Sequence, residues 1–139
     1  NFHSILKNDT VKLALAHPSN TKLSGDDRRR TWLVSVYPSL FITLTPGYFW
    51  YLSLSPKAPG QVDVLFGGGL APEWVADPEA EAHFATLRAL LDDVNAEDKG
   101  CVERVWQGLV SRQGSPGPLS HLERPNWDFA QYILSRVQA

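Results

Sequence analysis

The 139-residue chain has a single cysteine, Cys101, and no methionine. A lone thiol excludes an internal disulfide and any Cys-x-x-Cys metal site, and it fits a reducing, cytoplasmic setting. A translation product starts with methionine, so a processed chain or a piece of a larger protein is expected. No apolar run approaches the roughly 18 to 20 residues of a membrane-spanning helix and no signal-peptide pattern is present, so a soluble protein is expected. Charge of one sign is lacking too: 13 Lys and Arg stand against 15 Asp and Glu, a net charge of -2. That balance gives no electrostatic case for nucleic acid or an anionic membrane. The one basic run, Arg28-Arg29-Arg30, follows Asp26-Asp27 and reads as a solvated turn. Paired histidines are missing as well. His3, His17, His83 and His121 are scattered, with no two at the three- or four-residue spacing of ligands on one helical face, and no Ser-His-Asp arrangement is recognisable.

What is present suffices for one domain with a core, at 43% hydrophobic and 11% aromatic residues. Residues 1–9 show no clear period. Val11, Leu13 and Leu15 alternate with Lys12 and Ala14, which predicts a short strand ending at His17-Pro18, and Pro18 to Arg30 reads as a loop. Thr31 to Tyr37 places Trp32, Val34 and Val36 on one face, and Phe41 to Thr45 resumes the strand character. Thr45-Pro46-Gly47-Tyr48 matches a type II turn, so Tyr48 to Ser55 should return as an antiparallel hairpin partner. Its Trp50, Leu52 and Leu54 face one way and Phe49, Tyr51 and Ser53 the other, so a sheet covered on both faces or enclosing a cavity is expected. After a reversal at Pro56 to Gly60, Gln61 to Phe66 forms another strand that Gly67-Gly68-Gly69 should end or bulge. The glycine run is no phosphate loop, because no Lys-Ser/Thr follows it.

The second half reads as helical. Asp77-Pro78 is an N-cap with proline at the first helical position, and Phe84, Leu87, Leu91 and Val94 form an inner stripe. Asn95 should interrupt that helix, with a second from about Ala96 to Ser111 and a last one near Pro125 carrying Phe129, Ile133 and Val137 inward. Strands followed by helices, without βαβ alternation, predict an α+β fold.

Asp98 breaks the pattern. It shares a helical face with Val102, Val105 and Leu109, where apolar side chains should enter the core. A buried carboxylate needs a partner. Either it caps a helix starting at Asn95, in a variant of the capping box, or it faces a pocket and holds a cation. Cys101 reads as a small core residue.

The runs Val94-Asn-Ala-Glu-Asp-Lys-Gly-Cys-Val-Glu-Arg-Val-Trp-Gln-Gly-Leu109, Gly117-Pro-Leu-Ser-His-Leu-Glu123 and Asp128-Phe129, with Val36-Tyr-Pro-Ser-Leu-Phe-Ile42 upstream, carry a resemblance in their order and spacing. From about Leu23 to Val137 the chain resembles the C-terminal part of the catalytic domain of Rieske non-haem iron oxygenase α subunits, the ring-hydroxylating and choline- or betaine-oxygenating enzymes. The resemblance implies a helix-grip (START-like) antiparallel sheet wrapped on a long helix, here incomplete. It implies mononuclear Fe(II) held by two histidines and one carboxylate, and the family's Asn-x-Glu-Asp run places that carboxylate on Asp98. It further implies a [2Fe-2S] Rieske cluster in a part preceding Asn1, electrons from NAD(P)H through a reductase or ferredoxin, dioxygen and a small-molecule substrate, and a trimer. The family's histidine pair and its cluster ligands are absent from the sequence, and Trp106 stands where the family commonly has Gln. The expectation is a C-terminal fragment, inactive alone, of an oxygenase that hydroxylates an aromatic ring or oxidises a small amine. The competing expectation is a metal-free binding module whose cavity, lined by residues such as Trp50 or Tyr51, takes a small apolar ligand.

Overall fold

The computed structural model describes residues 2–6, 12–115 and 117–138. Five strands form one antiparallel meander in chain order: β1 (Phe2–Leu6), β2 (Arg30–Val36), β3 (Leu40–Leu44), β4 (Tyr48–Ala58) and β5 (Gln61–Leu70). Three helices follow: the short α1 (Pro72–Val75), the long α2 (Ala80–Leu109) and α3 (Arg124–Val137). The fold is α+β, as the order of patterns predicts. No described helix is long and apolar enough to cross a membrane.

Several local expectations are corrected. β1 has no sequence period, yet it pairs with β2, Phe2 opposite Val34 and Leu6 opposite Arg30. The predicted strand at Val11 to Leu15 is a 3-10 turn over Lys12–Ala14, with Val11 outside the described residues. Its alternation fits a strand equally well, but its carbonyls are used in tertiary contacts. Leu15 O accepts from the Trp74 indole N–H at 3.2 Å, and Leu13 and Ala14 are buried.

The turn between β3 and β4 is closed by Thr45 N–H donating to Tyr48 O at 2.8 Å, while Thr45 Oγ1 accepts from the backbone N–H of Tyr48 at 2.9 Å. Gly47 does not adopt the left-handed conformation of a type II turn. Glycine is needed there for space: a Cβ would collide with Leu13 O and lie 2.7 Å from Leu15 O and 2.9 Å from Trp74 Nε1. The Gly67-Gly68-Gly69 run continues β5 instead of ending it. Each glycine lies opposite an aromatic residue of β4, namely Tyr51, Trp50 and Phe49. A Cβ on Gly67 or Gly69 would press on the facing Tyr51 or Phe49 ring at 3.0–3.1 Å. Bare backbone makes room for those rings.

The largest correction concerns α2, which runs unbroken through Asn95 for 30 residues. The Asn95 side chain does not cap: its Nδ2 is buried with no hydrogen-bond partner among the described residues. The helix also begins later than Asp77-Pro78 suggests, although the Asp77 carboxylate does accept the Glu79 N–H at 2.8 Å. Before α3, Ser120 and Glu123 form a capping box, with Ser120 N–H donating to Glu123 Oε2 at 2.8 Å.

The core sits at one end of the sheet. Leu13, Trp74, Leu87 and Leu91 are buried together, with Tyr48, Trp50, Leu70 and Ala71 packed against them. The N-terminal part of α2 is thereby seated over the Tyr48 and Leu70 end of the β4–β5 hairpin. Further along, Trp106 of α2 lies against Gly60 at the hairpin's turn. The lengths agree: about 28 Å of helix separates Leu87 from Trp106 at about 1.5 Å per residue, and the ten residues of β5 extend about 33 Å.

Candidate functional site

The register decides which side chains share the face under α2. Leu33 pairs with Thr43 and Thr43 with Trp50, while Ser35 pairs with Phe41 and Phe41 with Leu52. These residues alternate with Trp32, Val34 and Val36, so β2 turns Leu33 and Ser35 toward the face that carries Trp50. There they line a concavity of about 340 Å³ closed on one side by Pro125 of α3. The lining is aromatic and aliphatic, with the hydroxyls of Ser35 and Thr43 as its polar side-chain groups on that face and no carboxylate, lysine, arginine or histidine among its residues. α3 is held there by Tyr37, whose hydroxyl donates to Pro125 O at 3.3 Å and whose ring lies 5.5 Å from Phe129 and 5.4 Å from Tyr132.

Asp98 stands on the face of α2 that begins in the core. It follows Leu91 by seven residues and Leu87 by eleven, which at 3.6 residues per turn leaves it within about 20° of both. Leu87 and Leu91 are buried, Val94 is half-buried, and Asp98 continues the same line. The expected cover does not extend that far. Val102, Val105 and Leu109 are 63%, 56% and 58% exposed, and Asp98 is exposed with them. Cys101, expected in the core, is also exposed. The capping account of Asp98 fails because the residue lies in mid-helix, with intact turns on either side. Its carboxylate takes part in no ion pair or side-chain hydrogen bond among the described residues, whereas the neighbouring Lys99 reaches Glu103 at 3.9 Å.

His83, not Phe84, lies on the inner line with Leu87 and Leu91. Its side chain is 14% exposed and its Nε2 lies 3.4 Å from Asp77 Oδ1, while Phe84 is 52% exposed. His17 Nε2 reaches the other oxygen, Asp77 Oδ2, at 3.3 Å. The Ser19 N–H donates to His17 Nδ1 at 3.1 Å, which leaves Nε2 as the donor to the carboxylate. Both imidazoles meet the Trp74 ring edge-on, at 4.7 and 4.8 Å. The Asp77 carboxyl is held below the usual carboxylate range, first by the Glu79 N–H, against the opposing effect of burial, and then by His17 and His83. The spacing His83, Leu87, Leu91 signals this inner position; the His17 to Asp77 contact spans 60 residues and has no sequence signal.

His121 lies in an exposed 3-10 turn, and the His3 side chain is outside the described residues. Among the described residues no three His, Cys, Asp or Glu side chains are gathered to hold a metal ion. Asp98 on α2 and the apolar concavity of β2, β3, β4 and Pro125 are separate features of the described residues, and no α2 side chain lines the concavity.

The family model for the ring hydroxylating alpha subunit (catalytic domain) matches residues 9–139. No curated protein and no solved structure matches the chain.

Proposed function

The chain belongs to the family of ring-hydroxylating oxygenase α-subunit catalytic domains, and from that premise we propose that it forms the C-terminal part of such a domain, with Asp98 as the carboxylate ligand of a mononuclear Fe(II). The observation that carries the proposal is the phase of Asp98 with Leu87 and Leu91, which sets a free carboxylate on the line that begins in the core. The residues fit in part. Asp98 offers a hard oxygen donor suited to Fe(II), while His17 and His83 are committed to Asp77 and are not offered as the two histidines of the set.

An Fe(II) held by Asp98 and two histidines would supply the activation of dioxygen. The chain's own residues do three things. Asp98 would offer its carboxylate oxygens to the metal. Leu33, Phe41, Trp50 and Leu52 take a planar apolar substrate and exclude water. Ser35 and Thr43 provide hydroxyls for orienting it. A concavity with no acidic group lining it favours a neutral aromatic ring over a small cationic amine, which would require a counter-charge or a full aromatic cage. In this reading a [2Fe-2S] Rieske cluster elsewhere in the parent would supply the electrons, drawn from NAD(P)H through a reductase or ferredoxin, in a trimeric assembly. The piece spanning residues 1–139 is inactive by itself.

The test uses the full-length parent carrying Asp98→Ala. Mononuclear iron should be lost with the helical circular dichroism unchanged and the Rieske cluster intact. If the variant keeps its mononuclear iron, Asp98 is not a ligand.

A further inference from the structure

Trp106 meets the sheet at Gly60. The position of a Cβ on Gly60 lies 2.5–2.6 Å from Cε2, Cζ2 and Nε1 of the indole, so the ring rests directly on the Gly60 backbone. Gly60 also has φ +76, a conformation that L side chains rarely adopt. Turn and contact thus impose the same residue. On the C-terminal half of α2, Trp106 is 42% exposed, less than Val102, Val105 or Leu109. The N-terminal half is fixed independently, by Leu87 and Leu91 in the core.

Asp98 lies between these fixings, seven residues after Leu91 and eight before Trp106. If the helix were held only at Leu91, Asp98 would be at the end of a lever of about 10 Å, and a swing of about 10° would carry it about 2 Å. Metal–ligand bonds tolerate only about 0.2 Å. We propose that Trp106, seated on Gly60, is the positioning residue that fixes Asp98 over the sheet. The inference rests on the reading of Asp98 as a ligand.

The experiment compares Trp106→Ala, Trp106→Phe, Val105→Ala and Asp98→Asn in the full-length protein, by amide hydrogen exchange across α2 and by retention of mononuclear iron during dialysis against a chelator. Trp106→Ala should speed exchange about tenfold over residues 94–109, leave residues 87–91 protected, and release iron about tenfold faster. Trp106→Phe should recover most of both effects, and Val105→Ala, a truncation on the exposed stripe, should change neither. Unchanged exchange in Trp106→Ala, or faster exchange with iron held as tightly as before, overturns the positioning role. Asp98→Asn should lose iron while α2 exchange stays as in the wild type; if it keeps the iron, the ligand reading fails, and that failure is visible separately from the behaviour of Trp106.

Discussion

Asp77 and Asp98 are both carboxylates of the helical half, and their surroundings differ: Asp98 is exposed in mid-helix. Asp77 is engaged on both oxygens, by the Glu79 N–H and by His17 and His83. Its folded pKa is depressed, so the stability it provides is present at pH values above the unfolded carboxylate value of 3.8 and is lost as pH falls through the lower folded value. Asp77→Asn should therefore flatten the fall of melting temperature below about pH 4, a difference that thermal unfolding at a series of pH values will read. At Gly47, where a Cβ would meet two backbone carbonyls and the Trp74 indole, Gly47→Ala should cost about 3 kcal/mol in urea unfolding. Gly47 and Asp98 were both legible as positions of interest in the sequence. The reason for Gly47 was not, because its crowding arises from Leu13 and Leu15, more than 30 residues away.

For the elements, α2 decides between two accounts of one residue. An N-cap asparagine stabilises its helix, and Asn→Ala there costs about 1 kcal/mol. In mid-helix with its Nδ2 buried and unpaired, Asn95 has a poorer helix propensity than alanine and an unsatisfied donor, so Asn95→Ala should stabilise by about 0.5 to 1 kcal/mol. Chemical denaturation of the two proteins gives the sign. Local turn chemistry at Asn95 suggested a break, but the phase of Leu87, Leu91, Val94 and Asp98 continues across it. Periodicity over about three turns was the stronger signal. β1 pairs with β2 through its backbone although its residues display no period.

For the whole molecule, the α+β order and the hairpins were legible because period-2 and period-3.6 patterns occupy separate halves of the chain. Burial was not legible, since an apolar stripe does not say whether anything covers it. Trp127, Ile133 and Leu134 of α3 are 51%, 38% and 43% exposed, and the far stripe of α2 is more exposed still. Apolar surface of that extent belongs against more protein. Purified residues 1–139 should accordingly enhance the fluorescence of an anilinonaphthalene sulfonate probe well above the full-length protein, and equal enhancement in the two would mean that the rest of the parent does not cover these faces. The core predicts a second asymmetry: Leu91→Ala should cost about 2 to 5 kcal/mol, and Val102→Ala, on the same stripe beyond the core, under about 1 kcal/mol.

The central claim is that Asp98 is a ligand of mononuclear iron, and the most direct measurement is electron paramagnetic resonance of the full-length protein treated with nitric oxide under anaerobic conditions. The nitrosyl signal of mononuclear Fe(II) is separate from that of the reduced Rieske cluster. In Asp98→Ala the nitrosyl signal should vanish while the cluster signal persists at wild-type intensity; a nitrosyl signal of undiminished intensity and shape in that variant would contradict the assignment.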